Sequence, residues 1–339
     1  MPKCVVLTAP RTVKVVERKP LIAEPHEAIV AVETAGICGT DLAIFSGDYP
    51  RPLPMVLGHE FIGRVTSVGE GADESWIGRR VAAEINNSCI AHKRHILCHA
   101  CTRGTPNHCQ TRTVTGIVDR DGAFAEEVAV AEGTLHEIPE DLDPFAATLV
   151  EPLAAALQTF VMTPVTGKET VAVLGPGRLG ILVVFAASLK GLRVVAVSRS
   201  EDKRHRALKY GAQEAFAPEE ARGKILELTH GWGADIVVDS TGRPEGVAAA
   251  ISLVSPQGVV AMKTTCGLPL KELDATQLVI DEIRLQGSRC GPFPQALEIL
   301  AAHQDRLKYL VSSMRPLEKA QDALESAFTE HKVVFRASD

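Results

Sequence analysis

Hydrophobic and polar positions follow two different patterns along this chain, and the change falls near residue 150. Before it, short runs rich in β-branched residues are separated by Gly and Pro, as at 28–32, 61–68 and 128–130. Such runs predict the strands of a β-rich, barrel-like domain. After it, short apolar runs alternate with longer helical stretches, which predicts a parallel sheet wound with helices.

The second pattern is regular enough for its elements to be named. Strands are predicted at 170–174, 194–197, 236–239 and 258–262. Helices are predicted at 179–189, 203–210, 222–229 and 244–253. Near the C-terminus, helices at 294–302 and 317–327 and a strand at 332–336 are expected to return to the first domain. The predicted fold class is α/β, with a β-rich domain at 1–150 and 288–339 and a doubly wound dinucleotide-binding domain at 151–287.

Composition narrows the class of protein. With 339 residues, 45% of them hydrophobic, the chain is long and apolar enough to bury two cores. A net charge of -6 without a block of basic residues excludes nucleic acid as a partner. The N-terminus lacks an apolar signal core, and the apolar run at 181–189 is far shorter than the roughly 20 residues that span a bilayer. We therefore expect a soluble, cytoplasmic protein with no membrane partner.

A glycine-rich loop follows the first strand of the second domain and opens its first helix, which is the context that dinucleotide binding requires. Its G-x-G-x-x-G spacing provides a tight turn, an approach for a pyrophosphate and close packing of the helix. The loop comprises Gly175, Pro176, Gly177, Arg178, Leu179 and Gly180.

The end of the next strand bears on the choice of cofactor. Ser198 and Arg199 stand where an acidic residue would hold a free ribose hydroxyl. Because Arg199 and the nearby Lys203 and Arg204 can meet a phosphate, NADP is favoured over NAD. An alternative explanation is a capping box that begins at Ser198 and a basic, solvated helix face.

Two short segments of the first domain combine ligand types that zinc accepts. The segment at 36–41 contains Cys38, and the segment at 58–60 contains His59 and Glu60. They resemble the catalytic-zinc motifs of the medium-chain, zinc-containing alcohol, sorbitol and threonine dehydrogenases, and the similarity runs from about residue 29 to the C-terminus. The resemblance implies a GroES-like catalytic domain and a Rossmann cofactor domain. It also implies that Cys38 and His59 bind a catalytic zinc, with Glu60 as a ligand or close neighbour.

The same resemblance extends to single residues elsewhere. The segment at 150–154 resembles the polyol and sugar dehydrogenase branch, in which a glutamate faces the zinc, so Glu151 is the expected third group. Thr40 resembles the proton relay of the family, although Ala43 replaces the histidine found in many relatives. Thr241 and Arg289 resemble residues that cover the cofactor, with purely structural roles as the alternative.

Four of the eight cysteines crowd between residues 89 and 109, which indicates metal ligands rather than disulfides. Three of them, Cys98, Cys101 and Cys109, match the structural zinc site of the family. The fourth ligand is open, because family spacing points to His95, whereas an insertion would let Cys89 reach the metal. Loss of this zinc is a third alternative. The remaining thiols are interpreted as packing or surface residues and include Cys4, Cys266 and Cys290.

These residues predict an NAD(P)-dependent zinc enzyme that oxidises a secondary alcohol, polyol or sugar to the ketone or aldehyde by hydride transfer. A zinc-free quinone or enone reductase of the same superfamily is one alternative, but it has no use for Cys38, His59 and Glu151. A noncatalytic binding protein on this scaffold is another. By resemblance, we expect a homodimer or homotetramer that pairs through the edge of the cofactor domain's sheet.

Overall fold

The structure, a computed structural model, describes residues 1–263, 268–270 and 273–337. Cys266 lies outside the described residues. The chain folds into two units, which are Met1–Glu151 with Phe293–Asp339, and Pro152–Pro292.

The end of the second unit differs from the prediction, at residue 292 rather than 287. The reason is that the segment after its last strand packs against the first helix of the same unit. Gly291 lies so close to this helix that a Cβ atom would come within 1.8 Å of the carbonyl oxygen of Ala154. Only glycine permits so close an approach of two backbones.

The first unit begins with a β-rich segment, as the short apolar runs predict. Its strands are β1 (Lys3–Ala9), β2 (Thr12–Glu17), β3 (Glu27–Gly36), β4 (Met55–Val56), β5 (Glu60–Val68), β6 (Arg80–Ala83), β7 (Asn86–Asn87), β8 (Thr113–Val114), β9 (Glu127–Ala131) and β10 (Leu135–Glu137). Its α-helices are α1 (Gly39–Ser46), α2 (His99–Thr102) and α3 (Pro144–Ala147).

Strands and helices then alternate through the second unit and into the C-terminal segment. Its helices are α4 (Val150–Met162), α5 (Gly180–Leu189), α6 (Glu201–Lys209), α7 (Pro218–Leu228), α8 (Gly246–Ile251) and α9 (Ala275–Ile280), and its strands are β11 (Thr170–Leu174), β12 (Arg193–Val197), β13 (Glu214–Phe216), β14 (Ala234–Asp239), β15 (Val254–Met262) and β16 (Arg284–Gly287). The C-terminal segment contains α10 (Phe293–Leu307), β17 (Ser313–Pro316), α11 (Ala320–Ser326) and β18 (Val333–Arg336).

The larger sheet of the first unit is built around β3. Its order is β10-β6-β5-β3-β18-β17, and β9 also pairs with β3. Because strands flank β3 on both sides, almost all of its residues are buried. β5 runs antiparallel to β3, and Gly36 lies opposite Glu60. The carboxyl end of β3 and the start of β5 are therefore neighbours.

A buried ion-pair network at the start of β3 helps to hold the first unit together. Glu27 is 2% exposed. One of its carboxylate oxygens lies 2.6 Å from Arg120 Nη2 and 3.3 Å from His92 Nε2. Burial alone would raise the pKa of Glu27, but hydrogen bonds from His92 and Arg120 lower it to about 2.

The second unit contains a six-stranded parallel sheet of order β13-β12-β11-β14-β15-β16. This is the strand order of a doubly wound dinucleotide-binding fold, with the switch point between β11 and β14. The four inner strands were predicted from their apolar runs. The two edge strands were not, because β13 and β16 are short and only partly buried.

One local prediction was wrong. The residue that caps α6 is Ser200, whose hydroxyl accepts a hydrogen bond from the amide of Lys203 at 3.4 Å. Ser198 instead accepts a hydrogen bond from the amide of Ser200. The capping serine is thus the one adjacent to the helix, and the capping box at Ser198 does not form.

The helices offer no candidate for a membrane span. Within the described part of the chain, none is long and apolar enough to cross a bilayer.

Candidate functional site

Cys38, His59 and Glu60 come together at the edge of the larger sheet of the first unit. Cys38 follows β3 and precedes α1, whereas His59 and Glu60 open β5. Because β3 and β5 are paired, the two segments meet although they are far apart in sequence. The possible ligand atoms of the three side chains all lie within 4.8 Å of one another. The structure thus brings together the three residues that the two motifs predict.

Asp41 is a site residue that the sequence analysis missed. It is fully buried, and its carboxylate accepts hydrogen bonds from the amides of Cys38 at 2.8 Å and Gly58 at 3.2 Å. The same carboxylate lies 3.3 Å from Nδ1 of His59. A carboxylate that holds one imidazole nitrogen leaves the other for a metal. The available signal was its position, three residues after Cys38 in the first turn of α1.

The charges of this group favour a cation. Burial raises the pKa of the Cys38 thiol, and the Glu60 carboxylate raises it further. Burial lowers the pKa of His59, but Asp41 and Cys38 raise it well above its ordinary value. The Asp41 carboxylate and the Cys38 sulfur beside the imidazole therefore stabilise positive charge. A divalent metal ion supplies such a charge, and zinc accepts all the donor types present.

Lys332 is a second residue that the sequence analysis missed. Its ammonium group forms an ion pair with Glu60 Oε2 and donates a hydrogen bond of 3.2 Å to the carbonyl of Ile37. Lys332 is 2% exposed and Glu60 is 1% exposed. No signal in the sequence pointed to this contact, because 272 residues separate its partners.

Two further predicted residues lie in the same unit without joining the group of three. Glu151, in the first turn of α4, is buried, but it is not among the residues whose ligand atoms lie within 4.8 Å of one another. Thr40 is partly buried in the first turn of α1.

The cysteine-rich segment forms a second group of possible ligands. The four sulfur atoms of Cys89, Cys98, Cys101 and Cys109 all lie within 4.8 Å of one another. Two of the separations are 3.3 Å for Cys89 with Cys109 and 3.6 Å for Cys98 with Cys109. A tetrahedral zinc with four thiolates would place them about 3.8 Å apart. His95, the alternative fourth ligand, is exposed and does not belong to this group.

Backbone amides support the thiolate form of Cys98 and Cys109, whereas burial and the neighbouring thiols raise the pKa of Cys101 to about 12. The Cys89 amide donates to the sulfur of Cys109, and the Gln110 amide donates to the sulfur of Cys98, both at 3.4 Å. Burial alone would raise the pKa of Cys109, but hydrogen bonds from Cys89 and Thr111 lower it to about 6. Such donors stabilise metal-bound thiolates. Cys4, by contrast, is buried in the hydrophobic core of the first unit, where burial raises its pKa.

The glycine loop of the second unit has the geometry of a dinucleotide site. Gly175 turns with a φ of 74°, a conformation that glycine adopts without strain. A Cβ atom at Gly180 would come within 2.3 Å of the carbonyl oxygen of Gly175, so this glycine lets the helix pack against the turn. The face of Gly177 is open, with no atom closer than 3.9 Å to a Cβ placed there. A phosphate can therefore approach the backbone at Gly177 and the N-terminus of α5.

Positive charges surround this loop. Partial burial lowers the pKa of Lys203, and the neighbouring arginines lower it further. They come from the loop, from the turn after β12, from α6 and from the turn after β14. These arginines are Arg178, Arg199, Arg206 and Arg243.

The remaining predicted cofactor residues lie on turns of the same unit. Thr241 is fixed after β14, because its amide and its hydroxyl donate hydrogen bonds to Asp239 at 3.0 and 2.7 Å. Arg289 is exposed in the segment after β16.

Comparisons with known proteins identify the family of the chain. Two family models match, the alcohol dehydrogenase GroES-like domain at residues 24–140 and the zinc-binding dehydrogenase at residues 179–302. The sorbitol dehydrogenase of Halalkalibacterium halodurans is 30% identical over 311 residues, which cover 89% of each chain. The L-threonine 3-dehydrogenase of Pyrococcus furiosus is 34% identical over 246 residues, 70% of this chain and 68% of that protein. The structure of a protein described as a zinc-binding dehydrogenase from Sinorhizobium meliloti 1021, bound to NADP, has a TM-score of 0.88 at 31% identity and covers 99% of both chains.

Proposed function

Because the chain belongs to the family of zinc-binding alcohol dehydrogenases, we propose that it oxidises a polyol, a sugar or a related secondary alcohol with a nicotinamide cofactor. The observation that carries the proposal is the group formed by Cys38, His59 and Glu60, in a chain whose second unit has a glycine loop. A zinc-free reductase has no use for this group of possible ligands. The sorbitol dehydrogenases among the relatives support a polyol as the substrate class.

Each residue of the first group has a separate task. Cys38 and His59 hold the catalytic zinc, and Asp41 orients the imidazole of His59. Glu151 is the third group of the site, acting directly or through water. Lys332 engages one carboxylate oxygen of Glu60, which favours Glu60 as a close neighbour of the metal rather than a permanent ligand.

The chemistry is divided between the bound groups and the protein. When bound, zinc supplies a Lewis acid that makes an alcohol hydroxyl more acidic, and the nicotinamide supplies the hydride acceptor. The protein must remove the hydroxyl proton. The hydroxyl of Thr40 would relay this proton, its oxygen accepting the proton of the alcohol as its own proton passes on to solvent, because Ala43 cannot continue the relay as a histidine would.

The cysteine group holds a structural zinc. Four thiolates close the coordination sphere, which is typical of a structural rather than a catalytic site. Cys89 is the fourth ligand, supported by its 3.3 Å separation from Cys109 and by the exposure of His95.

NADP is the preferred cofactor. Lys203 and the four arginines around the glycine loop form a concentration of positive charge that a ribose phosphate would neutralise. Arg199 stands at the end of β12, where an acidic residue would favour NAD. The NADP in the Sinorhizobium meliloti structure supports the same choice.

A second copy of the chain is the proposed partner. β16 is an edge strand of the parallel sheet and carries Leu285, which is 37% exposed. Just before it, Val279 and Ile280 are 76% and 73% exposed. A dimer that pairs through this edge would bury them. Light scattering should give a dimer or tetramer mass for the wild type and a lower mass for Val279→Lys.

The test of the proposed activity is the absorbance of reduced cofactor, measured with NADP⁺ or NAD⁺ against polyols, aldoses and simple secondary alcohols. We expect turnover that chelation abolishes and zinc restores, and that Cys38→Ser eliminates. Turnover that survives both chelation and Cys38→Ser would refute the zinc-dependent mechanism. Binding of cofactor without turnover of any alcohol would instead favour a noncatalytic scaffold.

A further inference from the structure

Lys263 is a buried lysine that the proposed chemistry does not use. It follows directly after β15 and is 9% exposed. Its ammonium group donates to the carbonyl oxygens of Ala155 at 2.6 Å and Ser288 at 3.2 Å, and to the Ser288 hydroxyl at 3.0 Å. The carbonyl of Arg289 lies 3.4 Å away. These hydrogen bonds offset the cost of burying the ammonium group and fix its position.

Lys263 stands at the carboxyl end of the second half of the parallel sheet. β14, β15 and β16 end in register, because Met262 pairs with Asp239 on one side and with Gly287 on the other. Lys263 follows Met262 and therefore stands at the level where all three strands end. Its amide also donates to the carbonyl of Asp239 at 3.0 Å. In this fold, ligands bind outside the carboxyl ends of the strands, at the switch point.

The two halves of the sheet would take different parts of a dinucleotide. The pyrophosphate belongs at the glycine loop after β11, and three of the cationic residues that suit a ribose phosphate, Arg199, Lys203 and Arg206, lie on the side of β12. The other half, formed by β14, β15 and β16, is left for the nicotinamide nucleotide. Lys263 therefore lies on the nicotinamide side of the site.

The oxidised and reduced forms of this cofactor differ in the charge of the nicotinamide ring. The oxidised nicotinamide ring carries a positive charge, whereas the reduced ring is neutral. A fixed ammonium group on the nicotinamide side repels the first and not the second, and a partly buried site screens this repulsion less than water does. A charged group changes the relative affinity for the oxidised and the reduced cofactor only if it interacts differently with the two forms.

Resting on the cofactor site proposed above, we propose that Lys263 makes this site bind reduced nicotinamide cofactor more tightly than oxidised cofactor. Lys263 is thus a positioning residue that acts through its charge. Because it destabilises bound oxidised cofactor relative to bound reduced cofactor, it favours hydride transfer from the alcohol to the cofactor on the protein. Its hydrogen bonds to Ala155 and Ser288 hold the ammonium group in place beside the strand ends.

The test is the ratio of two dissociation constants, for NADP⁺ and NADPH, measured by calorimetry on the intact protein without substrate. Lys263→Gln removes the charge and can still donate hydrogen bonds to the carbonyl oxygens, whereas Lys263→Met removes both. We expect the wild type to bind NADPH more tightly than NADP⁺. In both variants the ratio of the dissociation constant for NADP⁺ to that for NADPH should fall about tenfold. Lys224→Met, which removes a half-exposed lysine from α7, is the matched control and should leave the ratio unchanged.

The possible outcomes separate this inference from the proposed function. Equal affinity of the wild type for the two forms overturns the role of Lys263, and so does an equal loss of affinity for both forms in Lys263→Gln. A purely structural role would produce the second result. If the wild type binds neither NADP⁺, NADPH, NAD⁺ nor NADH, the proposed cofactor function itself fails.

Discussion

Replacing Lys332 by Met should cost the first unit a large part of its stability. The change removes the positive partner of Glu60 and keeps the apolar stem of the side chain. Glu60 is 1% exposed and Lys332 is 2% exposed, so water cannot take over the lost interaction. Breaking a buried ion pair by removing one partner typically costs about 3 to 5 kcal/mol. The hydrogen bond from Lys332 to the carbonyl of Ile37 is lost as well.

The free energy of unfolding of the first unit can be followed separately. The chain has two tryptophans, Trp76 in the first unit and Trp232 in the second. In a Trp232→Phe background, fluorescence during urea unfolding reports on Trp76 alone. We expect Lys332→Met to lower the free energy of unfolding by about 3 to 5 kcal/mol. The corresponding loss in Tm is on the order of 10 °C.

An exposed ion pair in the same unit gives the matched control. Lys3 and Glu318 are 2.6 Å apart, but their side chains are 40% and 53% exposed. Lys3→Met should therefore cost less than about 1 kcal/mol. The double variant Glu60→Gln with Lys332→Met should recover part of the stability, because no unpaired charge stays buried. If Lys332→Met costs no more than Lys3→Met, or if the double variant recovers nothing, the buried ion pair does not stabilise the unit as argued.

Three further predictions concern other parts of the chain. Cys89→Ser should lower the zinc content by about one equivalent per chain, whereas His95→Ala should not; the opposite pattern in metal analysis would make His95 the ligand. Arg199→Ala should lower the preference for NADP over NAD about tenfold in kcat/KM, and an unchanged ratio would exclude Arg199 from cofactor selection. Glu27, whose pKa is about 2, contributes about 3 kcal/mol of stability that is present above the pKa of an unfolded glutamate and is lost as the pH falls toward 2. Glu27→Gln should therefore flatten the dependence of Tm on pH between about pH 5 and 3, and a curve parallel to that of the wild type would contradict this.

The inner part of the parallel sheet could be predicted from the sequence because its signals are local. β11 is a wholly buried strand that ends at Leu174, directly before Gly175, and α5 begins at Gly180, so both boundaries follow from neighbouring residues. β13 and β16 lack such a signal, since an edge strand needs neither a continuous apolar run nor two buried faces. Pairing with β12 and β15 decides these strands, and that pairing is a property of the whole sheet.

The candidate metal site shows the same limit in another form. The family resemblance could assign Cys38 and His59, because each stands in a short motif. The fourth ligand of the cysteine group stayed open in the sequence, since the choice between Cys89 and His95 depends on the path of the loop between them. In the structure, the part of this loop that leads to His95 is exposed, at residues 93–95, while Cys89 is buried. Burial of a ligand depends on the folded path of the chain, which spacing does not determine.

The burial of Lys332 and its pairing with Glu60 could not be inferred from the sequence. A lysine before a short strand carries no local sign of burial, and most lysines are exposed. Its position follows from three long-range facts: β18 pairs with β3, β3 pairs with β5, and Glu60 begins β5. The C-terminal strand thus does more than complete the sheet, because its pairing places the ammonium group of Lys332 against the Glu60 carboxylate, beside Cys38 and His59. A site assembled from three distant segments in this way depends on the register of the sheet as much as on its motifs.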